Sequence, residues 1–364
     1  MKKKVFVIVP FLKGTGGTET VIRNLGVAYQ RSGKTDVYDM RLISFGGTMV
    51  AGWQEPWKKK VYNFTANRML QNIFYIILAP ILMLILFSRE RPDIVISTNS
   101  VLWTYAYFIR KFTRQHYSII GWYHYSVDQK PINRNALTYC DSYLAISSGI
   151  KRQLVKRGIS DNTIHTLYNP VDILNNGVLQ SMVPRPEHGP TQFIYIGRID
   201  FDGQKNVSSL FTALSNVRGD WTLRLYGTCT SETKSRLLHI AEINHFTQKV
   251  SFMGFKEDVW SEISVASALI MTSKYEGFPM ILCEAIARGI YCISSDCPTG
   301  PEDIITEENG KLYPMDNIKV LSFLLQGIVN GSAKLADPKN AQKTMVELDF
   351  SHFIANFQRF IGVS

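Results

Sequence analysis

Short apolar runs alternate with longer helical stretches in two successive series along the 364-residue chain. The first series predicts strands over Val5–Val9, Arg41–Phe45, Asp93–Ser97, Tyr117–Trp122 and Ser142–Ile146. The second series predicts strands over Phe193–Ile196, Thr222–Tyr226, Val250–Phe252, Ala268–Thr272 and Tyr291–Ser294. Because strands that are separated by helices pair in parallel, each series predicts one doubly wound parallel sheet of the α/β class.

A polar, proline-rich stretch over residues 184–190 separates the two series. Such a stretch is typical of a domain boundary, and it predicts one Rossmann-like domain over residues 1–183 and a second over residues 190–345. We expect the two domains to face each other across a cleft. Ligands of such sheets bind outside the carboxyl ends of the strands, so the loops at those ends are where functional residues are expected.

Cysteine content and charge limit the class of protein. The five cysteines are scattered and lack C-x-x-C spacing, which argues against a disulfide framework or a zinc site and favours a reducing cytoplasm. Residues 1–180 carry 23 Lys and Arg against 10 Asp and Glu, whereas residues 181–364 carry 17 against 20. The basic first half indicates an anionic partner such as a membrane surface, a phosphorylated acceptor or nucleic acid; a merely basic soluble surface is the plainer alternative.

One apolar segment, residues 73–87, bears on that choice. It is apolar for 15 residues, contains Pro80, and lies between Lys58–Lys60 and the cations Arg89 and Arg91. The run is short for a membrane span, which needs about 20 apolar residues. Two hypotheses remain open for it: a buried helix that covers the first sheet, or an element that docks on an anionic membrane surface.

The segment Lys274–Glu284 carries two carboxylates eight positions apart around a Gly-Phe-Pro turn. It follows a predicted strand, and Pro279 is well placed as the first residue of a helix. Glu276 would then lie in the loop at the strand's carboxyl end, and Glu284 in the second turn of the helix. Helix N-termini attract phosphate, and carboxylates accept hydrogen bonds from sugar hydroxyls. The segment therefore predicts a ligand with both groups, and a nucleotide-sugar fits.

Glycines and cations follow the first strand of each series. Arg198 and Lys205 come after the first strand of the second series. The planar guanidinium of an arginine and the mobile ammonium of a lysine together suit a diphosphate. The plainer interpretation is that both are solvated surface charges. Gly16 and Gly17 hold the equivalent place in the first series, where backbone N–H groups can approach a phosphate or sugar. Their spacing fits neither the dinucleotide fingerprint nor a Walker loop, which disfavours dinucleotide binding.

Three further side chains have both a structural and a functional interpretation. His124 follows the predicted strand Tyr117–Trp122 and is more typical of a packed core histidine, but in a cleft it would contact a transferred sugar or an acceptor. Ser147 predicts a helix N-cap, with an acceptor-side role for Lys151 as the alternative. Cys283 lies in an apolar helical pattern, which favours a buried structural cysteine over a nucleophile.

Taken together, these motifs resemble those of GT-B retaining glycosyltransferases of family 4. Glu276 and Glu284 match the family's E-x7-E signature. Its other motifs correspond to Gly16-Gly17, Ser147 to Lys151, Asn169 to Asp172, Arg198, Lys205 and Gly300-Pro301, so the resemblance covers nearly the whole chain. More narrowly, the strings at residues 16–24, 144–151, 276–280 and 292–297 resemble lipopolysaccharide 1,6-galactosyltransferases of enteric bacteria.

The resemblance implies transfer of a hexose, with galactose the best expectation, from a UDP-sugar to a hydroxyl of a lipopolysaccharide-core or other lipid-linked saccharide. It implies retention of the anomeric configuration, with no metal ion or other cofactor required. The implied catalytic residues are Glu276, Arg198, Lys205 and His124. The implied donor-binding residues are Gly16, Gly17, Gly197, Arg198, Lys205, Glu276, Gly277, Phe278, Pro279, Met280 and Glu284. Glu19 and Lys151 are the expected acceptor-side residues.

The resemblance and the charge pattern together lead to expectations about partners and location. A C-terminal helix within residues 346–364 is expected to cross back to the first domain. The protein is expected on the inner face of the cell membrane, as a peripheral cytoplasmic protein that contacts anionic lipid through its basic first half and residues 73–87, with no nucleic acid as partner.

Three alternatives remain open, and a fourth, a glycosidase, is disfavoured. One is a glycosyltransferase of capsule or exopolysaccharide assembly that uses another nucleotide-sugar, and another is a GT-B nucleotide-sugar epimerase. A glycosidase would also use two carboxylates, but it needs no Arg/Lys cradle for a diphosphate. The last is a non-catalytic scaffold that binds glycan or lipid.

Overall fold

The chain folds into two compact units. The computed structural model describes residues 2–14, 16–65, 68–175, 178–179 and 181–363. The first unit comprises Met1–Val171 together with Leu348–Ser364, and the second comprises Asp172–Glu347. The proline-rich stretch belongs to the second unit, because Val183 N–H donates to Arg288 O at 2.9 Å and Pro184 O accepts from Ala266 N–H at 3.1 Å. The division therefore precedes the boundary that the sequence predicts.

The described residues contain fifteen strands. They are β1 (Lys3–Val9), β2 (Tyr38–Phe45), β3 (Lys59–Tyr62), β4 (Ile94–Ser97), β5 (Ser118–Gly121), β6 (Ser142–Ala145), β7 (Ile164–Thr166), β8 (Leu174–Asn175), β9 (Val178–Leu179), β10 (Thr191–Ile196), β11 (Trp221–Tyr226), β12 (Val250–Gly254), β13 (Ala268–Met271), β14 (Tyr291–Ser295) and β15 (Gly310–Tyr313). All ten predicted strands are among them.

Twelve α-helices occur in the same residues. They are α1 (Gly17–Arg31), α2 (Arg68–Glu90), α3 (Ser100–Thr113), α4 (Arg134–Leu137), α5 (Ser148–Lys156), α6 (Val207–Leu214), α7 (Ser231–Ile243), α8 (Met280–Ile286), α9 (Pro301–Ile304), α10 (Ile318–Val329), α11 (Pro338–Lys343) and α12 (Phe350–Phe360). Short 3₁₀ turns occur between some of these elements, including one over Val259–Glu262.

Each unit is built on one parallel sheet. The order in the first is β3-β2-β1-β4-β5-β6-β7, and the order in the second is β12-β11-β10-β13-β14-β15. Both orders reverse beside the first strand of the sheet, as in a doubly wound Rossmann-like fold, and both predictions of such a sheet are confirmed. Strands β8 and β9 form a separate antiparallel pair. The reversal point places the loops after β1 and β10 where such sheets bind ligands.

The C-terminal segment belongs to the first unit. Helix α12 packs on α1, where the Arg31 guanidinium lies 5.3 Å from the centre of the Phe350 ring. Gln358 Nε2 donates to Tyr38 Oη at 3.3 Å, and Val171 N–H donates to Leu348 O at 2.9 Å. The last residues of the chain thus complete the unit that its first residues begin.

The apolar segment 73–87 lies within α2, which is longer than the apolar run and continues through Pro80. Met83 and Phe87 are buried on one side of the helix, whereas Ile76 and Ile77 are 60% and 54% exposed on the other. By length and composition alone, the 18-residue stretch Ile73–Glu90 is apolar enough to cross a membrane, and 22% of it is buried. The helix therefore covers the first sheet and also presents an apolar face outward.

Candidate active site

A carboxylate shapes the loop that follows β10. Asp200 Oδ1 accepts hydrogen bonds from the backbone N–H groups of Lys205 and Asn206, each at 3.0 Å. Asn206 has a φ of +51°, and the two bonds compensate this unfavourable left-handed conformation. Lys205 O in turn accepts from Thr272 Oγ1 at 2.8 Å, just beyond the neighbouring strand β13. The loop therefore places Lys205 against the carboxyl end of that strand.

The lysine side chain meets a carboxylate there. Lys205 Nζ lies 2.6 Å from Glu276 Oε1, and the two side chains are 20% and 10% exposed. Glu276 reaches this point because it follows β13, which pairs directly with β10. Few waters reach the pair at this depth, so removal of either partner would leave the other as a poorly compensated charge.

Arg198 supplies a second cation beside this pair. Its side chain is 61% exposed, and one guanidinium nitrogen lies 3.3 Å from Asp200 Oδ2 and 3.4 Å from Gln204 Oε1. Gln204 Nε2 donates to Tyr275 O at 3.0 Å and so ties the loop to the residue before Glu276. Because these contacts to the guanidinium are long and exposed, most of its donors are accessible to an anion.

The loop from Glu276 to α8 is held by the segment that follows β14. Thr299 Oγ1 donates to Glu276 O, and Gly300 packs against Phe278 and Pro279. A Cβ atom on Gly300 would lie 2.6 Å from Pro279 Cδ, and its φ of +100° also requires glycine. The helix itself begins at Met280 and Pro279 is its extended N-cap, so the prediction of Pro279 as the first helical residue is wrong by one position.

Glu284, in the second turn of α8, has a partner that lies far from it in sequence. Trp260 Nε1 donates to Glu284 Oε2 at 3.0 Å, and the Arg288 guanidinium lies 4.4 Å from the centre of the Trp260 ring. Burial raises the pKa of the Glu284 carboxyl, while the bond from Trp260 and the nearby Arg288 partly oppose that shift.

These contacts define the chemistry of the cluster. Arg198, Lys205 and Glu276 lie on the loops at the carboxyl edge of the second sheet. Glu284 lies in the second turn of α8, within the same unit. Arginine and lysine bind phosphate oxygens, and carboxylates accept from hydroxyls. A ligand that carries a diphosphate and sugar hydroxyls satisfies both sets of groups.

Two known families match the chain in succession. Residues 15–173 match the family termed Glycosyltransferase Family 4, and residues 180–345 match the family termed Glycosyl transferases group 1. A lipopolysaccharide 1,6-galactosyltransferase of Salmonella typhimurium is 35% identical over 353 residues, covering 91% of each chain. The chain therefore belongs to the family of glycosyltransferases that includes this relative.

Further relatives agree with that assignment. A lipopolysaccharide 1,6-galactosyltransferase of Escherichia coli K12 is 34% identical over 345 residues, which cover 92% of each chain. The apo structure of a lipopolysaccharide outer core galactosyltransferase superposes with a TM-score of 0.84 at 32% identity, covering 99% of each chain. The Anabaena protein HepE, solved with UDP-glucose, has a TM-score of 0.77 at 14% identity over 99% of this chain and 100% of its own, which shows a shared fold. The predicted GT-B fold and glycosyltransferase class are confirmed.

In this glycosyltransferase, the predicted residues of the second unit fall in one neighbourhood. Gly197, Arg198 and Lys205 follow β10, and the segment Glu276–Met280 follows β13, the adjacent strand. Direct side-chain contact joins Lys205 to Glu276, and Gln204 links Arg198 to the backbone of Tyr275. Their roles in catalysis and donor binding stay predictions.

His124 lies in the first unit and is almost fully enclosed. It is 7% exposed, its ring lies 4.4 Å from that of Trp122, and neither ring nitrogen has a hydrogen-bond partner among the described residues. Burial lowers the pKa of the imidazole to about 3, so the ring is neutral at pH 7. A neutral imidazole has one donor and one acceptor, which suits a hydroxyl group better than a phosphate.

The other predicted residues of the first unit are placed near α1 and α5. Gly16 precedes α1 and Gly17 begins it, while Glu19 Oε1 turns back to accept from Gly14 N–H at 2.9 Å. Lys151 Nζ lies 3.0 Å from Asp161 Oδ1. Glu19 and Lys151 are thus engaged within their own unit, and their acceptor-side roles stay predictions.

Several structurally important residues escaped the sequence analysis. Asp200 lies only two residues from Arg198, so its role as a loop-shaping carboxylate had a signal in the sequence. Trp260 and Thr299 had none, because they approach Glu284 and Glu276 from other loops of the unit. Cys283 is buried, and burial raises the pKa of its thiol, which supports the structural interpretation.

Proposed function

We propose that this glycosyltransferase is a retaining, family 4 enzyme that transfers a hexose, with galactose the best expectation, from a UDP-sugar to a hydroxyl of a lipopolysaccharide-core saccharide. The observation that carries the proposal is the Lys205–Glu276 pair at 2.6 Å with Arg198 beside it. The identity to lipopolysaccharide 1,6-galactosyltransferases over 91% of both chains supports the acceptor class and the sugar. The Anabaena protein of the same fold was solved with UDP-glucose, which supports a uridine donor.

In the proposed reaction, the bond between the anomeric carbon and the diphosphate breaks, and the acceptor hydroxyl forms a new bond on the same face of the sugar. The hydroxyl proton passes to the departing diphosphate oxygen. Lys205 and Arg198 stabilise the negative charge that grows on that oxygen, and electrostatic stabilisation of this kind is commonly the largest catalytic contribution. Because the two cations perform this role, we propose that no metal ion is required.

The carboxylates and the histidine have distinct roles in the proposal. Glu276 accepts hydrogen bonds from hydroxyls of the transferred sugar. Because Glu276 also pairs with Lys205, an incoming diphosphate shares the Lys205 ammonium with the Glu276 carboxylate. Glu284 accepts from the hydroxyls of the ribose. His124, neutral and without a partner among the described residues, exchanges hydrogen bonds with a sugar hydroxyl.

The test is a transfer assay with four donors: UDP-galactose, UDP-glucose, UDP-N-acetylglucosamine and GDP-mannose. Each is incubated with lipopolysaccharide-core and exopolysaccharide acceptors, with and without EDTA, and the product linkage is determined by NMR. We expect transfer from UDP-galactose to the core acceptor, an α-linked product, and no effect of EDTA. A β-linked product, a strict metal requirement or preference for GDP-mannose would contradict the corresponding part of the proposal.

Controls in the same assay separate the alternative activities. Rapid hydrolysis of the donor without an acceptor would indicate a hydrolase, and interconversion of UDP-galactose and UDP-glucose would indicate an epimerase. Transfer only to exopolysaccharide acceptors would favour the alternative assembly pathway. Full transfer by the Glu276→Ala variant would refute the site itself.

We further propose that the protein docks on the inner face of the cell membrane through one surface of the first unit, the α2–α3 face. Its exposed apolar side chains are Ile73, Ile76, Ile77, Ile81, Ile85, Phe108 and Phe112. The two helices are held side by side, since Tyr105 Oη donates to Ile76 O at 3.2 Å and Gln115 Nε2 donates to Phe87 O at 3.3 Å.

The cations around the α2–α3 face favour an anionic bilayer as its binding partner. Exposed cations lie at or just beyond the C-terminal ends of both helices: Arg89, Arg91, Lys111 and Arg114. The sequence has no Asp or Glu over residues 68–89 or 100–114. Glu90, the last residue of α2, is a carboxylate at this rim, and its Oε2 is already paired with Arg41 at 3.2 Å. An apolar face with a net cationic rim binds anionic lipid surfaces, and each cation near the surface contributes about 1 kcal/mol.

Vesicle co-sedimentation tests the docking surface. Phe112, 82% exposed on α3, is compared with Phe323, 75% exposed on α10 in the second unit, through the matched variants Phe112→Ser and Phe323→Ser. We expect Phe112→Ser and the double variant Ile77→Ser/Ile81→Ser to lower binding to phosphatidylglycerol vesicles at least 5-fold. The reason is that burial of one large apolar side chain in the bilayer contributes about 2 kcal/mol to the binding free energy. Equal loss in the Phe323 variant, or equal binding to neutral vesicles, would contradict the proposal.

A further inference from the structure

The indole of Trp260 is the feature of the second unit that the proposed roles leave unexplained. We propose that Trp260 is a positioning residue for Glu284: its N–H holds one carboxylate oxygen, so that the other oxygen is aimed at the ribose of the donor. The inference rests on the proposed function, in which Glu284 accepts from ribose hydroxyls.

The hydrogen bond from Trp260 to Glu284 is well formed, and it has no competing side-chain donor among the described residues. Trp260 Nε1 lies 3.0 Å from Glu284 Oε2, and among the described residues no other side chain donates to that carboxylate. An indole has one donor and no acceptor, so it engages one oxygen and leaves the second available. A lysine or arginine in its place would bind both oxygens or neutralise the charge, and would then compete with a ligand hydroxyl.

Arg288 holds the indole in the plane that makes this bond. Its guanidinium lies 4.4 Å from the centre of the Trp260 ring, a distance at which a cation is attracted to an aromatic face. The same guanidinium donates to Glu284 O at 2.9 Å, so the arginine is anchored to the backbone of the residue that the indole contacts. Arg288 thus contacts both the indole and the backbone of Glu284, and the indole N–H holds one oxygen of the carboxylate.

The turn that carries Trp260 is also fixed. The 3₁₀ turn Val259–Glu262 lies between β12 and β13, and Asp258 Oδ1 accepts from Ser261 N–H at 3.4 Å while Ser261 Oγ donates to Asp258 O at 2.8 Å. The indole therefore reaches α8 from a turn that has its own internal hydrogen bonds. Pre-organisation of this kind lowers the entropic cost of binding, because the carboxylate is already oriented before the ligand arrives.

The experiment uses Trp260→Phe, which retains a ring for Arg288 and removes the N–H. Calorimetric titration measures the Kd of the full-length protein for UDP and for 2′,3′-dideoxy-UDP, which lacks the ribose hydroxyls. We expect Trp260→Phe to weaken UDP binding about 5-fold, the size of one hydrogen bond, and to leave binding of the dideoxy nucleotide unchanged. We also expect a higher donor KM with little change in kcat.

Two further variants separate positioning from general damage. Trp221→Phe removes an indole N–H that donates to Val217 O at 3.4 Å elsewhere in the same unit, so it controls for lost stability and should not change the Kd for UDP. In a Glu284→Ala background, Trp260→Phe should have no further effect, because the interaction it removes is already absent.

Several results would overturn the inference. Equal weakening for UDP and dideoxy-UDP would show that Trp260 acts on the fold and not on the ribose contact. An unchanged UDP affinity in Trp260→Phe, when Glu284→Ala does weaken binding, would remove Trp260 from the site and leave the proposed function intact. No UDP binding by the wild-type protein would overturn the uridine donor and, with it, this inference.

Discussion

The loops that follow the first strand of each sheet have the same framework and different chemistry. After β1, Glu19 turns back to accept from Gly14 N–H at 2.9 Å; after β10, Asp200 accepts from Lys205 N–H at 3.0 Å. In both loops a carboxylate satisfies backbone donors that a tight turn leaves unpaired. The second loop also presents Arg198 and Lys205, whereas the described part of the first, residues 11–14 and 16–17, has Lys13 as its one cation.

Net charge does not locate the proposed phosphate site in this chain. Residues 1–180 hold 23 of the cations and only 10 of the acids, yet the cation pair proposed to bind a diphosphate lies in the mildly acidic second half. Much of the positive charge of the first unit lies elsewhere, including the ends of α2 and α3. Position at a strand end, and a carboxylate that fixes the loop, decide where phosphate chemistry is possible.

Loss of Lys205 should have the largest effect of the changes that test this comparison. We expect Lys205→Gln to lower kcat by 10²–10³-fold, about 2.7–4 kcal/mol, because it removes charge stabilisation of the leaving diphosphate and leaves Glu276 without its cation. Steady-state kinetics measure the effect, and thermal unfolding shows whether the variant stays folded. The matched control is Lys311→Gln, which breaks an exposed pair with Glu307 in the same unit. A kcat within 5-fold of wild type would mean that the second loop does not carry the phosphate chemistry.

Substitutions of the two loop carboxylates, Asp200 and Glu19, should affect the KM of different substrates. Asp200→Asn weakens charge-assisted bonds to the backbone of Lys205 and Asn206, so we expect the donor KM to rise about 10-fold. Glu19→Gln makes the equivalent change in the first unit, and we expect a rise of a few fold in the acceptor KM. Kinetics with each substrate varied in turn provide the measurement. If Glu19→Gln raised the donor KM as much as Asp200→Asn, the contrast between the loops would be wrong.

The sequence predicted the interior of both sheets better than their edges. All ten predicted strands exist, because each is an apolar run that the sheet buries. Five strands were missed. Strands β3, β7 and β15 are short and lie at sheet edges, and β3 contains two exposed lysines, so they lack an apolar pattern. Strands β8 and β9 have two residues each and form a separate pair, which is too short for a pattern. Helix α2 was recognised as apolar, but no pattern in one segment could show that it buries one side and exposes the other.

The residues of the candidate site also differ in how far the sequence could predict them. Arg198, Lys205 and Glu276 were predictable because each follows an apolar strand directly, and parallel strands bring such residues to one edge. Trp260 was not, since its contact with Glu284 depends on how a turn 24 residues away packs on α8. The Lys205–Glu276 pair was also unforeseen, because the sequence assigned the two side chains to different parts of one ligand.

The smallest expected effect concerns His124, whose lack of hydrogen-bond partners contrasts with the paired side chains of the second unit. Its folded pKa of about 3 lies below the ordinary 6.5, so between these values the unfolded chain binds a proton that the folded chain does not. The folded state therefore loses stability as pH falls from 6.5 toward 3, by up to about 1.4 kcal/mol per pH unit.

Urea unfolding at pH 7 and pH 5.5 measures this contribution. We expect His124→Gln to lose about 1 kcal/mol less than wild type over that interval, because glutamine does not titrate. His352→Gln, which replaces a histidine at an exposed position of the same unit, is the matched control. An identical pH dependence in His124→Gln and wild type would show that the imidazole is accessible to protons in the folded state, and the proposed neutral contact to a sugar hydroxyl would then have to be replaced by a charged one.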